Sequence, residues 1–206
     1  MGDELQTLVY IAASGLLLVL GAKGVQYLTK PKNFTGRRIA CFGDSITANG
    51  GYCNEIARTT GAKVKSFGYA GQGTDYILKR MHKVMQWQPT DVVILAGVND
   101  LPSKSSTHTA TNLAKMYATF RNAGIRVVAV PITPWHGYAS AKGNEAKTED
   151  VNRWITFDAQ VDEVVSIAAL GDNNWRLLPQ YDSGDGLHLN AKGQQVLGGL
   201  IAVQSF

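Results

Sequence analysis

From residue 37 onward, short apolar runs alternate with longer segments of mixed polarity, and most boundaries carry Gly or Pro. Residues 38–43 are apolar through Ile39, Ala40, Cys41 and Phe42 and end in Gly, which predicts a buried strand. Residues 52–60 read as a helix closed by Gly61, and residues 63–67 alternate as a second strand. Residues 75–87 read as a helix ended by Pro89, and 91–96 as a third strand. A helix over 109–122 closes at Gly124, and a fourth strand over 125–130 stops at Pro131. Residues 149–160 read as helical, 161–170 fit either strand or helix, and 191–203 form a final helix. Strands alternating with helices, the central strands apolar throughout, predict an α/β protein. Its form is a three-layer α/β/α sandwich around a parallel sheet.

The first 36 residues follow a different pattern. Between Glu4 and Lys23 runs a stretch of 18 uncharged residues, 5–22, with no amphipathic stripe. Its length is at the short end of what spans a bilayer as a helix. A cleaved signal and a buried soluble helix are the alternatives. The former fits poorly because Asp3 and Glu4 stand where a secretory signal is positive. The expected organisation is an N-terminal transmembrane-like anchor helix over 1–28, a linker over 29–36 and a folded domain over 37–206. The protein is then membrane-anchored through residues 5–22. The basic residues Lys23, Lys30, Lys32, Arg37 and Arg38 all follow the segment and favour a cytoplasmic domain, but the segment is only moderately hydrophobic, so the side stays open.

Composition adds little beyond this. A net charge of +4, spread rather than blocked, does not point to nucleic acid. Two cysteines, Cys41 and Cys53, lack zinc or CxxC spacing, and a disulfide between them would need an oxidising compartment. No metal and no cofactor is expected. Gly71-Gln72-Gly73 lacks both the Walker lysine and the dinucleotide spacing.

Candidate chemistry lies just after the strands, where open α/β sheets bind ligands. Ser45 follows a strand and Gly43-Asp44, so its hydroxyl is presented at a helix N-terminus. Such a hydroxyl needs a base, and of four histidines His188 stands three residues after Asp185, so one loop can supply base and orienting carboxylate. Asp182 competes as that carboxylate. Oxyanion donors are the Ser45 N–H, the Gly71 N–H and the Asn99 amide. The loop after the fourth strand carries Trp135, His136 and Tyr138, which with Asp44 are candidate substrate-binding residues, packing being the alternative.

Gly43-Asp44-Ser45, Gly68-Tyr69-Ala70-Gly71, Gly97-Val98-Asn99-Asp100 and Asp185-Gly186-Leu187-His188 occur in that order. Together they resemble the four blocks of the SGNH (GDSL-type) hydrolases. The resemblance spans residues 43–188 and implies a flavodoxin-like sandwich with a Ser45–His188–Asp185 triad. It also implies an oxyanion hole of Ser45, Gly71 and Asn99. The second block departs from the family's pattern, leaving Gly68 and Gly73 as alternatives to Gly71. The implied function is a serine esterase working through an acyl-enzyme on an ester, with envelope glycan, peptidoglycan or lipid as candidate substrates. The rival is a non-catalytic, membrane-anchored binding protein that keeps the fold.

Overall fold

The computed structural model describes residues 36–206 and, before them, the backbone of three strands: β1 (Leu8–Ile11), β2 (Leu17–Gly21) and β3 (Gly24–Tyr27). The chain divides into two compact units, residues 1–33 and 34–206. In the first, β1, β2 and β3 pair antiparallel in sequence order, with Val9 opposite Val19 and Leu20 opposite Val25. This corrects the expected anchor helix. An apolar run without helical periodicity does not by itself choose between strand and helix, and Val9, Tyr10, Ile11 and Val19 are strand-favouring residues. Among the described residues no helix is long and apolar enough to cross a membrane. The rest of residues 1–28, and the linker expected over 29–36 up to residue 35, lie outside the described residues.

The second unit is built on β4 (Arg38–Gly43), β5 (Lys63–Gly68), β6 (Asp91–Leu95), β7 (Arg126–Ala129) and β8 (Glu163–Val164). They form one parallel sheet in the order β5-β4-β6-β7-β8. The helices are α1 (Ser45–Asn49), α2 (Gly51–Thr60), α3 (Thr74–Leu78) and α4 (Met81–Gln86), then α5 (Ser106–Asn122), α6 (Glu145–Phe157) and α7 (Ala191–Ser205). The sequence expectation of one helix over 75–87 is corrected to two. Arg80, at φ −106° and ψ 4°, leaves helical geometry between α3 and α4. α5 starts earlier than the apolar pattern suggested because the Ser105 hydroxyl caps it, accepting from the His108 N–H at 3.1 Å.

Strand alternation sorts the core into two layers. Ala40, Phe42, Val92, Ile94, Val127 and Ala129 face one way and pack with α3–α6 residues such as Ile77, Met116 and Phe120. Ile39, Cys41, Val93, Leu95 and Val128 face the other and pack with Tyr52, Ile56, Leu197 and Ile201 of α2 and α7. Each fully buried Val, Ile or Phe contributes about 1.5–3 kcal/mol of apolar burial. Cys41 and Cys53 share this second layer as free, buried thiols. With order 2-1-3-4-5, the topological switch lies between β4 and β6, the two strands after which Ser45 and Asn99 emerge.

Candidate active site

Ser45 is the first residue of α1, directly beyond β4. Gly43 is required at this turn: a Cβ on it would run into the Leu95 carbonyl oxygen and the Thr47 hydroxyl. Asp44 is 0% exposed, and its Oδ1 accepts from the Ile46 N–H at 3.1 Å, capping α1. It does not reach the surface to meet a substrate, which corrects the expectation for this residue: as N-cap its side chain turns into the protein. Its other oxygen, Oδ2, is buried without a hydrogen-bond partner. Burial pushes the carboxyl up to about 7, against the pull of the Ile46 N–H and of His188.

The Ser45 Oγ lies 3.0 Å from His188 Nε2. His188 Nδ1 lies 2.6 Å from Asp185 Oδ2. With Nδ1–H donating to the carboxylate, Nε2 is left as acceptor for the serine proton. Asp185 Oδ1 also accepts from the backbone N–H groups of Leu187 at 2.9 Å and His188 at 2.8 Å. Partial burial raises the Asp185 pKa, but the His188 ring and these two N–H groups outweigh it and hold the carboxyl down at about 2. Asp182, the other carboxylate in reach by sequence, does not touch the imidazole. Its Oδ1 accepts from the Gly184 and Gly186 N–H groups and so holds the loop's shape.

The three expected oxyanion donors lie in the segments that follow β4, β5 and β6. Gly71 has φ +70°, a conformation glycine adopts without strain. Neither its N–H nor that of Ser45 donates to a protein acceptor among the described residues. Asn99 follows β6, and its Nδ2 donates to the Gln72 carbonyl at 3.1 Å, which ties the β6 loop to the Gly71 loop and leaves the second amide hydrogen free to donate.

The loop after β7 lies against the His188 loop. A Cβ on Gly186, at φ +78°, would come within 2.5 Å of the Gly137 carbonyl carbon. Of the candidates on that loop, Tyr138 is exposed, while His136 is half-buried and its Nδ1 bonds the Asn174 carbonyl at 2.9 Å. Trp135 is corrected to a core residue. It is 1% exposed, and its Nε1 donates to Thr148 Oγ1 at 3.0 Å. A buried indole normally finds a partner for its N–H, and here the Thr148 hydroxyl is that partner.

Sequence reasoning assigned no role to several residues that hold the site. Asp100 is buried and accepts from the Thr74 N–H at 2.8 Å and the Thr74 hydroxyl at 2.9 Å, anchoring the end of the Gly71 loop. Burial raises the Asp100 carboxyl's pKa while the Thr74 bonds counter it. Asn112 extends the network, donating to Thr74 Oγ1 at 3.0 Å and Asp75 Oδ1 at 2.8 Å. From α7, Gln194 accepts from the Tyr52 N–H at 2.9 Å and locks the segment behind the nucleophile. Asp100 stood in a recognised block, so its importance had a signal. Asn112 and Gln194 had none. Among the described residues no group of His, Cys, Asp and Glu could hold a metal ion.

The GDSL-like Lipase/Acylhydrolase family model matches residues 41–196. No curated protein matches the sequence. Among solved structures, a proposed lipolytic protein of the G-D-S-L family from Desulfitobacterium hafniense DCB-2 superposes with a TM-score of 0.72 at 17% identity, covering 82% of this chain and 99% of that one. A proposed acylhydrolase from Bacteroides fragilis NCTC 9343 is 25% identical with a TM-score of 0.69, covering 84% of this chain and 88% of that one. An acetyl xylan esterase, AlAXEase, has a TM-score of 0.65 at 18% identity, covering 82% of this chain and 100% of that one. Fold, strand-end blocks and family match agree: the chain belongs to the GDSL-like lipase/acylhydrolase family, the SGNH hydrolases that its four sequence blocks resemble.

Proposed function

We propose that the protein is a serine esterase whose nucleophile is Ser45, whose base is His188 and whose orienting carboxylate is Asp185. The observation that carries this is the unbroken hydrogen-bond chain from Ser45 Oγ through both nitrogens of His188 to Asp185. The hydroxyl attacks the ester carbonyl carbon while Nε2 takes its proton. The negative oxygen that forms is held by the Ser45 and Gly71 N–H groups and the Asn99 amide. The imidazolium, stabilised by Asp185, returns the proton to the leaving alkoxide, and the acyl group stays on Ser45. Water then attacks the acyl-enzyme with Nε2 again as base, releasing the acid and restoring the serine. The 25% identity to a proposed acylhydrolase supports the same reaction class.

The test compares the full chain with its Ser45→Ala variant for labelling by a fluorophosphonate probe and hydrolysis of p-nitrophenyl acetate. Labelling and turnover by the parent alone are expected. Equal turnover by Ser45→Ala would sink the assignment of the nucleophile.

A further inference from the structure

Residues 61–90 hold five basic side chains, Lys63, Lys65, Lys79, Arg80 and Lys83, against a single acid, Asp75. Their balance of +4 equals the net charge of the whole chain, so the remaining residues sum to zero. The five are dispersed in the sequence, and the fold gathers them on one flank. β5 is the edge strand of the sheet. Phe67 and Tyr69 pack in the layer that contains α3 and α4, so by strand alternation Lys63 and Lys65 project on that same side. α3 and α4 bury Ile77, Met81 and Val84 in this layer, while Lys79 and Lys83 are exposed. Ring contacts of Phe67 with Trp87, centroids 6.0 Å apart, and of Tyr69 with Tyr76, 5.6 Å apart, join the strand edge to the helices.

These charges are uncompensated. Among the described residues none of the five is in an ion pair. Asp75 is turned to α5, accepting from Asn112 at 2.8 Å and lying 3.1 Å from His108 Nε2. A flank of one sign attracts the opposite charge. The stripe follows β5 for ~16 Å from Lys63 to Gly68, at about 3.3 Å per residue, and ends at the Gly71 loop. There the Tyr69 N–H donates to the Gly43 carbonyl at 2.9 Å, two residues before Ser45. An elongated anion lying on the stripe is thereby led toward the nucleophile.

The side chains around the stripe select among polyanions. The exposed large apolar residues among those described are Tyr138 and Phe157, both outside this flank, so nothing on it inserts into a lipid surface. Its aromatic rings already carry cations. Arg80 lies 3.0 Å from the Tyr76 centroid and 5.7 Å from that of Tyr69, Arg38 lies 4.5 Å from that of Trp87, and Lys65 lies 5.0 Å from that of Phe67. A nucleic-acid base therefore meets cations where it needs an open ring to stack on. Four of the five charges are lysines, mobile point charges rather than the planar fork that recognises phosphate in two places at once. An acidic polysaccharide fits: carboxylates recur along it, and its hydroxyls are where acyl esters form. We propose that the β5–α3–α4 flank binds a linear, carboxylate-bearing polysaccharide and leads it to Ser45. The delivery to Ser45 rests on the esterase reading; binding by charge does not.

Isothermal titration of the full chain with alginate, a linear polyuronate, and with neutral dextran tests this. Alginate is expected to bind and dextran is not. Combining Lys63→Gln, Lys65→Gln, Lys79→Gln and Lys83→Gln should weaken alginate binding at least about tenfold, and so should raising NaCl from about 50 mM to about 500 mM. All four lysines are exposed, so this variant should keep the parent's melting temperature and its rate on p-nitrophenyl acetate. The same four positions changed to Arg should keep the binding. No alginate binding at about 50 mM NaCl overturns the proposal. So does binding that the Gln variant keeps in full, or tighter binding of oligothymidylate or of phosphatidylglycerol vesicles than of alginate. On chemically O-acetylated alginate the Gln variant should show a raised KM with kcat unchanged, and an equal KM would overturn the delivery to Ser45. Should Ser45→Ala leave esterase activity intact while alginate binding depends on the lysines, the flank stands and the nucleophile falls.

Discussion

Replacing Asp44 by Asn should make the protein more stable at alkaline pH and less so in acid. In the unfolded chain this carboxyl titrates near 3.8, and in the folded one burial lifts it to about 7. The folded state therefore holds the proton more tightly. Its stabilising effect is complete below pH 3.8 and is lost as pH rises through about 7. At 1.36 kcal/mol per pKa unit the whole loss is about 4 kcal/mol, of which roughly 3 kcal/mol falls between pH 5 and pH 9. Asn keeps the oxygen that accepts from the Ile46 N–H but carries no charge to desolvate. Its amide nitrogen takes the place of an oxygen that has no partner, at a pH-independent cost of about 1–3 kcal/mol. The informative quantity is therefore the change in the stability gap between the two proteins, from which that constant cost cancels. Urea unfolding followed by tryptophan fluorescence at pH 5, 7 and 9 measures it. The gap should move by roughly 3 kcal/mol in favour of Asp44→Asn from pH 5 to pH 9. A gap that does not move with pH would show that the carboxyl titrates alike in folded and unfolded chains, and the burial argument fails.

Other expectations concern the site and the core. Asp185→Asn should lower kcat on p-nitrophenyl acetate by about 10²–10⁴ with little change in KM, because the imidazole loses its orientation and the charge that stabilises it. Since Asp185 stays ionised down to about pH 2, activity lost between pH 7 and pH 4 should track another group, which the pH profile of kcat checks. Asp100→Ala should cost about 1–3 kcal/mol in urea unfolding by leaving the buried Thr74 N–H and hydroxyl unpaired, and should lower kcat as the Gly71 loop loosens. Ile94→Ala, in the fully buried β6, should cost about 2–5 kcal/mol, with thermal unfolding as the check.

The strand–helix alternation from residue 38 to residue 203 was legible because the central strands are buried on both faces and so carry unbroken apolar runs. β4 and β6 are examples, and Gly or Pro marks where most elements stop. The candidate residues were legible for a related reason. Chemistry in this architecture sits at strand ends, and Gly43, Gly71 and Gly97 mark where backbones approach closely or turn left-handed. What failed was local. An apolar run without periodicity was read as one helix where β1 and β2 form, and residues 75–87 were read as continuous across Arg80. Both misreadings come from judging a segment without the partner that stabilises it.

The identity of the reacting groups is a property of residue type and order, so the sequence alone determined the serine, histidine, amide and carboxylate candidates and the layered sheet that carries them. Their selection belonged to the tertiary structure. Asp182 and Asp185 are chemically alike and three positions apart, and only the loop's course turns one to the imidazole and the other to the Gly184 and Gly186 N–H groups. Trp135 and Tyr138 share a loop, yet packing against Thr148 buries the first and leaves the second exposed. Asn112 and Gln194 entered the site's support only when α5 and α7 met segments distant in sequence. Orientation, burial and the pairing of remote side chains depend on three-dimensional neighbours, which no run of residues contains.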